Sequence, residues 1–415
     1  MDPFNSKFIL NEKRWLWIDY DKGISIILVG FGHCYGALSG YGLSLAAYPF
    51  FNYFGVFFFG FRMPLFFIVS GLLVARSLNK KGLGAYIGDR SNNILYPLLV
   101  WGFIETTFQI IISRWFPQFS NSGHIGPKTY FFLIINPDQT GHFWYLNALF
   151  FIGAIYAVLK TKLKLKPQVQ LIIGFVLFSV SAYLHIHNLH AGILNHVFEY
   201  YIFFAIGDLI SGIMLNEQYR QKYASWKVFF PLMVVFLITQ FYCTRLILAP
   251  HPEGINYIEH KLPFLFLIEA LIGCAISINC SFLLQRYCKL NFLRIIGFHS
   301  LFIYCMQIIV MIVARMVFMN ALHITYVPAL IMLVWASGIV MPIFIYNYCL
   351  KHKLWWLYTF RKPEKQVEYI RFANIFRPRW ARNVVLAQPR INTHDRNEQA
   401  ILNAKNNKTK NPSAF

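Results

Sequence analysis

The chain is short of charge. Only 13% of its 415 residues are Asp, Glu, Lys or Arg, against 57% hydrophobic, and mean hydropathy is +0.47. A soluble protein this apolar could not cover its own surface, which excludes ordinary cytosolic enzymes. Acidic residues are scarcest: 17 Asp and Glu stand against 38 Lys and Arg, a formal net charge of +21. Seven cysteines fall singly in apolar runs, without the paired spacing of a zinc or redox motif. They read as buried small hydrophobes, not a disulfide framework. No small-residue cleavage site follows the first hydrophobic run, so that run is expected to remain as a span. There is no internal repeat, which argues against an inverted-repeat transporter.

What the chain has in abundance is apolar runs of about twenty residues, the length that crosses a bilayer as a helix. The fold class is therefore all-α, a polytopic transmembrane bundle of ten spans. They lie near residues 17–38, 55–76, 93–113, 143–159, 168–187, 193–215, 227–248, 262–284, 295–317 and 327–350. Basic residues alternate with the connectors. The N-terminus carries Lys7, Lys13 and Arg14, and the second connector Arg76, Lys80, Lys81 and Arg90. The fourth, sixth and eighth connectors are basic too, whereas the odd ones are poor in Lys and Arg. Positive residues stay inside, so both termini are expected in the cytoplasm. The domain reading is a membrane-embedded part over residues 1–350 and a basic cytoplasmic tail over 351–415. The tail holds fourteen Lys and Arg against four Asp and Glu, begins with Trp355 and Trp356, and ends in a polar run of disordered composition. The longest outer connector, Arg114 to Gly141, is rich in Pro, Gly, Ser and Asn and suits a substrate entrance.

The first span, RWLWIDYDKGISIILVGFGHCYGAL, carries Asp19, Asp21, Lys22 and His33. Ionisable groups inside a span are costly unless paired or hydrated and mark function by default. At roughly 100° per residue, Lys22 lies within about 20° of His33 and Asp19 within about 40°, whereas Asp21 points away. Three polar groups thus form one stripe, with Lys22 and His33 some 16 Å apart along the axis. Depth counting places Arg62, Glu105, Glu199, Glu269, His142 and Trp144 in the same outer band as His33. Lys22, Arg76 and Arg90 lie toward the cytoplasm and suit a phosphorylated ligand. The connector histidines His185, His187 and His190 read as interfacial groups, and no metal site is expected. Cys34 points about 100° from His33 and is not read as a nucleophile.

The DYDKGISIILVGFGH segment resembles the first-helix motif of the acyltransferase-3 family of integral membrane O-acyltransferases: a basic residue, ten residues, then histidine, here Lys22 and His33. FRMPLFFIVSG resembles the second motif and contributes Arg62, Pro64, Ser70 and Gly71; GHFWYLNALF resembles the third, with His142 and Trp144. FFAIGD and IIGFHSLFIYCMQ also look like family segments, in the family's order. One departure is Gln307, where many members have His.

The resemblance implies transfer of an acetyl or other acyl group to a hydroxyl of a cell-surface or lipid-linked carbohydrate, in the bacterial inner membrane. Acetyl-CoA would be the cytoplasmic donor substrate, with no bound cofactor. Expected partners are the donor, the glycan acceptor and membrane lipid, and no nucleic acid. The implied catalytic set is His33 as general base, Arg62 as oxyanion donor and Glu105 to orient or charge-balance His33. Asp19, Lys22 and Arg90 would bind the donor, and His142 and Trp144 would face the acceptor. The rival class is a secondary transporter or flippase for a glycan or its precursor, distinguished by whether a base-labile ester forms.

Overall fold

The computed structural model describes residues 15–40, 43, 45–115, 126–136, 141–249 and 258–361. Lys7, Lys13 and Arg14, part of the connector 114–141, and the tail beyond Arg361 with its polar end lie outside the described residues.

The described residues form an all-α bundle without strands. Its helices are α1 (Leu16–Gly40), α2 (Pro49–Phe57), α3 (Phe59–Leu72), α4 (Val74–Arg90), α5 (Tyr96–Trp115), α6 (Thr129–Ile135), α7 (Trp144–Lys162) and α8 (Pro167–Ile186). They continue as α9 (Ile193–Met214), α10 (Glu217–Tyr223), α11 (Trp226–Leu248), α12 (Ile258–Lys261), α13 (Pro263–Tyr287), α14 (Phe292–Phe298), α15 (Ser300–Met316) and α16 (Val327–Lys351).

Among the described residues, nine helical stretches are long and apolar enough to cross a membrane. They match the second to tenth expected spans one for one. The first expected span is α1, 25 residues long; it carries Asp19, Asp21 and Lys22 and is not one of the nine. The basic second connector is helical. Helix continues for 42 residues over Val74–Trp115, broken at Gly82, whose φ of 75° favours a residue without a Cβ, and loosened by a π turn at Ser91–Leu95.

Connectors of one parity meet at the same end. The Trp15 ring lies 5.5 Å from the Arg76 guanidinium and 5.9 Å from that of Arg220. Tyr20 donates its hydroxyl to the Lys289 carbonyl at 2.7 Å. The start of the tail joins this basic end: Asn92 Oδ1 accepts the backbone N–H of Phe360 and Arg361 at 2.8 and 3.1 Å, and Tyr358 is buried against Trp101, Phe302 and Tyr346. At the opposite end, Tyr48 meets Tyr326 and His185 meets His260. The charge alternation read from the sequence thus corresponds to two distinct faces of the bundle.

Packing at α1 and α3 explains how polar groups are held inside. Gly297 of α14 lies against the Asp19 carbonyl so closely that a Cβ would collide with it, and Gly71 and Gly207 bring α3 and α9 backbone to backbone. Small residues of this kind let membrane helices associate without a hydrophobic drive. Asp21, off the polar stripe as expected, is buried and accepts from Ser277 Oγ at 2.6 Å and Ser281 Oγ at 3.3 Å, tying α1 to α13.

Candidate active site

His33 and Arg62 share the wall of a cavity of about 710 Å³ between the helices. Each is placed by local chemistry. Pro64 sits inside α3 and cannot donate a backbone hydrogen bond, so α3 is loosened just where Arg62 emerges. Arg62 reaches across to α1. Its Nη1 donates to the Leu28 carbonyl of α1 at 3.2 Å, and its carbonyl accepts from Ser25 Oγ at 2.6 Å. Its guanidinium packs where a side chain at Gly32 would stand, next to His33, and lies 4.7 Å from the Phe59 ring.

Behind His33 stands His142, their ring centroids 5.5 Å apart at an interplanar angle of 66°. His142 is buried and held twice by Tyr304. Its Nε2 lies 3.1 Å from the Tyr304 carbonyl, and the Tyr304 hydroxyl donates to the His142 carbonyl. A carbonyl oxygen only accepts, so Nε2 carries the hydrogen and Nδ1 faces away. Nδ1 lies 3.5 Å from Glu105 Oε1, an atom that also accepts from Gln109 Nε2 at 2.9 Å. His33, His142 and Glu105 therefore stand in a row from cavity to interior. Glu105, expected to orient or charge-balance His33, has His142 as its neighbour, and His142, expected to face the acceptor, stands against His33. Gln307 is fully buried beneath Gly30, one turn of α1 from His33.

Trp144 does line the cavity, stacked on His196 with centroids 4.3 Å apart and lying 5.2 Å from Tyr200. Glu199, Glu259, His185 and His260 complete this polar mouth. His196, Tyr200, Glu259 and His260 were not singled out in the sequence. His196, Glu199 and Tyr200 fall at i, i+3 and i+4, a spacing that puts them on one helix face and was the available signal. Glu259 and His260 lie on the short α12, where no periodicity marks them. Among the described residues, no group of three or more His, Cys, Asp or Glu is placed to hold a metal ion.

Toward the basic end, Asp19 is buried and Lys22 half-buried on α1. Arg90 is built into the packing of α4, α7 and α9: it bonds the Leu149 carbonyl and, at 3.1 Å, the Tyr86 hydroxyl, and lies 5.9 Å from the Phe204 ring. Asp208 accepts from Lys160 and Tyr156 in the same region.

Fold and site together define a polytopic helical membrane protein with a histidine–arginine cavity inside its bundle. The chain belongs to the acyltransferase-3 family, whose profile, described as "Acyltransferase domain", matches residues 15–346. Curated relatives include "Nodulation protein NolL" of Mesorhizobium japonicum, 30% identical over 155 residues, or 36% of this chain and 37% of that protein. The protein of the same name from Sinorhizobium fredii is 28% identical over 144 residues, 33% of this chain and 34% of its own length. The chain thus spans about a third of the length of the curated relatives it matches. No solved structure matches it.

Proposed function

We propose that the protein is a membrane O-acyltransferase that moves an acyl group, acetyl in the simplest case, from acetyl-CoA in the cytoplasm to a hydroxyl of a cell-surface or lipid-linked carbohydrate. One observation carries the reading: His33 and Arg62 share a cavity wall, with His142 and Glu105 stacked behind the histidine. His33 takes the acceptor's hydroxyl proton as its oxygen attacks the thioester carbonyl. Arg62, on the same cavity wall, stabilises the oxyanion that develops. When the tetrahedral intermediate collapses, the C–S bond breaks and His33 returns the proton to the departing thiolate. Asp19, Lys22 and Arg90 serve the donor from the basic end, which this reading places in the cytoplasm of a bacterium with both chain termini. Trp144 faces the acceptor on the cavity wall, and His142 acts on it only through His33.

The test is His33→Ala. Loss of a general base costs about 10²- to 10⁴-fold in rate, so base-labile acyl ester on the surface glycan should nearly vanish at unchanged protein level. Substantial ester formation by this variant rejects the mechanism. A wild-type protein that transports a glycan but never leaves an ester on it rejects the reaction.

A further inference from the structure

Two cavities at the basic end meet at one side chain. The first, about 440 Å³, is polar, lined by Glu217, Arg220, Gln221, Gln285 and Arg286 with Ala224 and Phe282. The second, about 320 Å³, is an apolar slot between α3, α9, α11 and α13, with Ile68, Ile210, Met214, Leu232 and Ile278 on its walls. Phe282 lines both. Asn279, on the slot side, donates to the Tyr223 carbonyl at 2.7 Å and so ties α10 to α13 where the cavities adjoin.

Depth and charge say what fits. Trp226 Nε1 donates to the Tyr287 hydroxyl at 2.9 Å, and both rings are exposed. Such amphipathic rings belong at the membrane–water interface, and Tyr287 directly follows Arg286, so the two arginines sit at headgroup level. Arg220 gives Nη2 to Glu217 at 2.7 Å and Arg286 gives Nη1 to the Ala224 carbonyl at 2.6 Å. A guanidinium has five N–H groups, so each keeps donors for a phosphate. The slot below offers water almost nothing to bond, and inside a bilayer it takes hydrocarbon.

We propose that this composite cavity is a binding site for an anionic phospholipid of the leaflet at the basic end, its phosphate on Arg286 and Arg220 and one acyl chain past Phe282 into the slot. The site is separate from the His33 cavity and does not rest on acyl transfer. The acyl chain would lie against Cys274, Ile278 and Phe282 of α13, whose adjoining face receives Asp21 through Ser277 and Ser281. Phe282 itself meets the Trp17 ring of α1 at 4.9 Å. The lipid would therefore brace the helix that holds α1 in place.

The full-length protein, delipidated in mild detergent, is titrated with dioleoylphosphatidylglycerol or dioleoylphosphatidylcholine and read by native mass spectrometry. The wild type should retain the anionic lipid about tenfold better. Arg286→Gln should bring the ratio close to unity. Ala275→Phe, which fills the slot, should lower retention of both lipids. Arg286 is exposed, and a glutamine in its place keeps an N–H donor for the Ala224 carbonyl, so this variant decides the matter even where Ala275→Phe lowers protein yield. Equal retention of the two lipids by the wild type, an unchanged preference in Arg286→Gln, or displacement of the lipid by acetyl-CoA each overturns the proposal.

Discussion

At the scale of single residues, His142 changes the picture most. Sequence spacing put His33, Lys22 and Asp19 on one face because helical periodicity is local and can be counted. It brought Arg62, Glu105 and His142 to a common depth because spans can be aligned by their ends. Which of these side chains touch is decided by packing between residues on different helices, far apart in the chain, and nothing local encodes that. Glu105 therefore looked like the partner of His33, although the His142 ring, fixed by Tyr304, stands between them. A prediction follows from that row. Glu105→Gln keeps an oxygen for Gln109 and nearly the same volume but removes the carboxylate. If the carboxylate steadies charge on the two imidazoles during transfer, kcat should fall about tenfold or more, with protein level and acceptor KM little changed. Steady-state kinetics on purified protein would show it; an unchanged kcat leaves Glu105 as packing alone.

At the scale of elements, α3 shows how one helix serves two ends. Near its start, Pro64 loosens the backbone where Arg62 crosses to α1; near its end, Gly71 lies flat against α9. The proline was legible as a helix breaker. The glycine contact was not, since a Gly in an apolar run looks the same whether it faces lipid or another backbone. We expect Gly207→Leu to be severe, because its side chain would collide with the Ile68 carbonyl, which belongs to a helix and cannot step aside. Overpacking typically costs 1–3 kcal/mol and more where backbone must move. The loss should appear as a large drop in folded protein by detergent-resistant size-exclusion profile. Gly36→Leu, at a position with open space around it, should leave the profile unchanged.

At the scale of the whole molecule, composition carried far. Nine of the ten expected spans and the gathering of even connectors at one end followed from counting apolar lengths and Lys and Arg, because a bilayer imposes both. Hidden from that count were the helical second connector and the polar mouth built by α9 and α12, since connectors obey no bilayer length. Which end faces the cytoplasm is tested by labelling introduced cysteines at Gly126 and Lys164 in a Cys288→Ser background. Membrane-impermeant reagent should reach Gly126→Cys in intact cells and Lys164→Cys only after permeabilisation. The reverse pattern would invert the topology and put the proposed donor residues on the wrong side.

The hold of Asn92 on residues 359–361, with Tyr358 sunk among Trp101, Phe302 and Tyr346, has a consequence in time. A chain is threaded into the membrane from its N-terminus, and Tyr358 is among the last described residues to leave the ribosome. The gap between α5 and α16 that it plugs stays open until every described span has been made, so this part of the bundle is closed by a stopper that comes after them. A chain ending at Leu354 would insert every span and still lack that stopper, and its half-life in cells should be short. A chain ending at Arg396 keeps it and should persist and acylate like the full protein. Pulse–chase of the two truncations separates these fates, and equal lifetimes would show that the plug is dispensable.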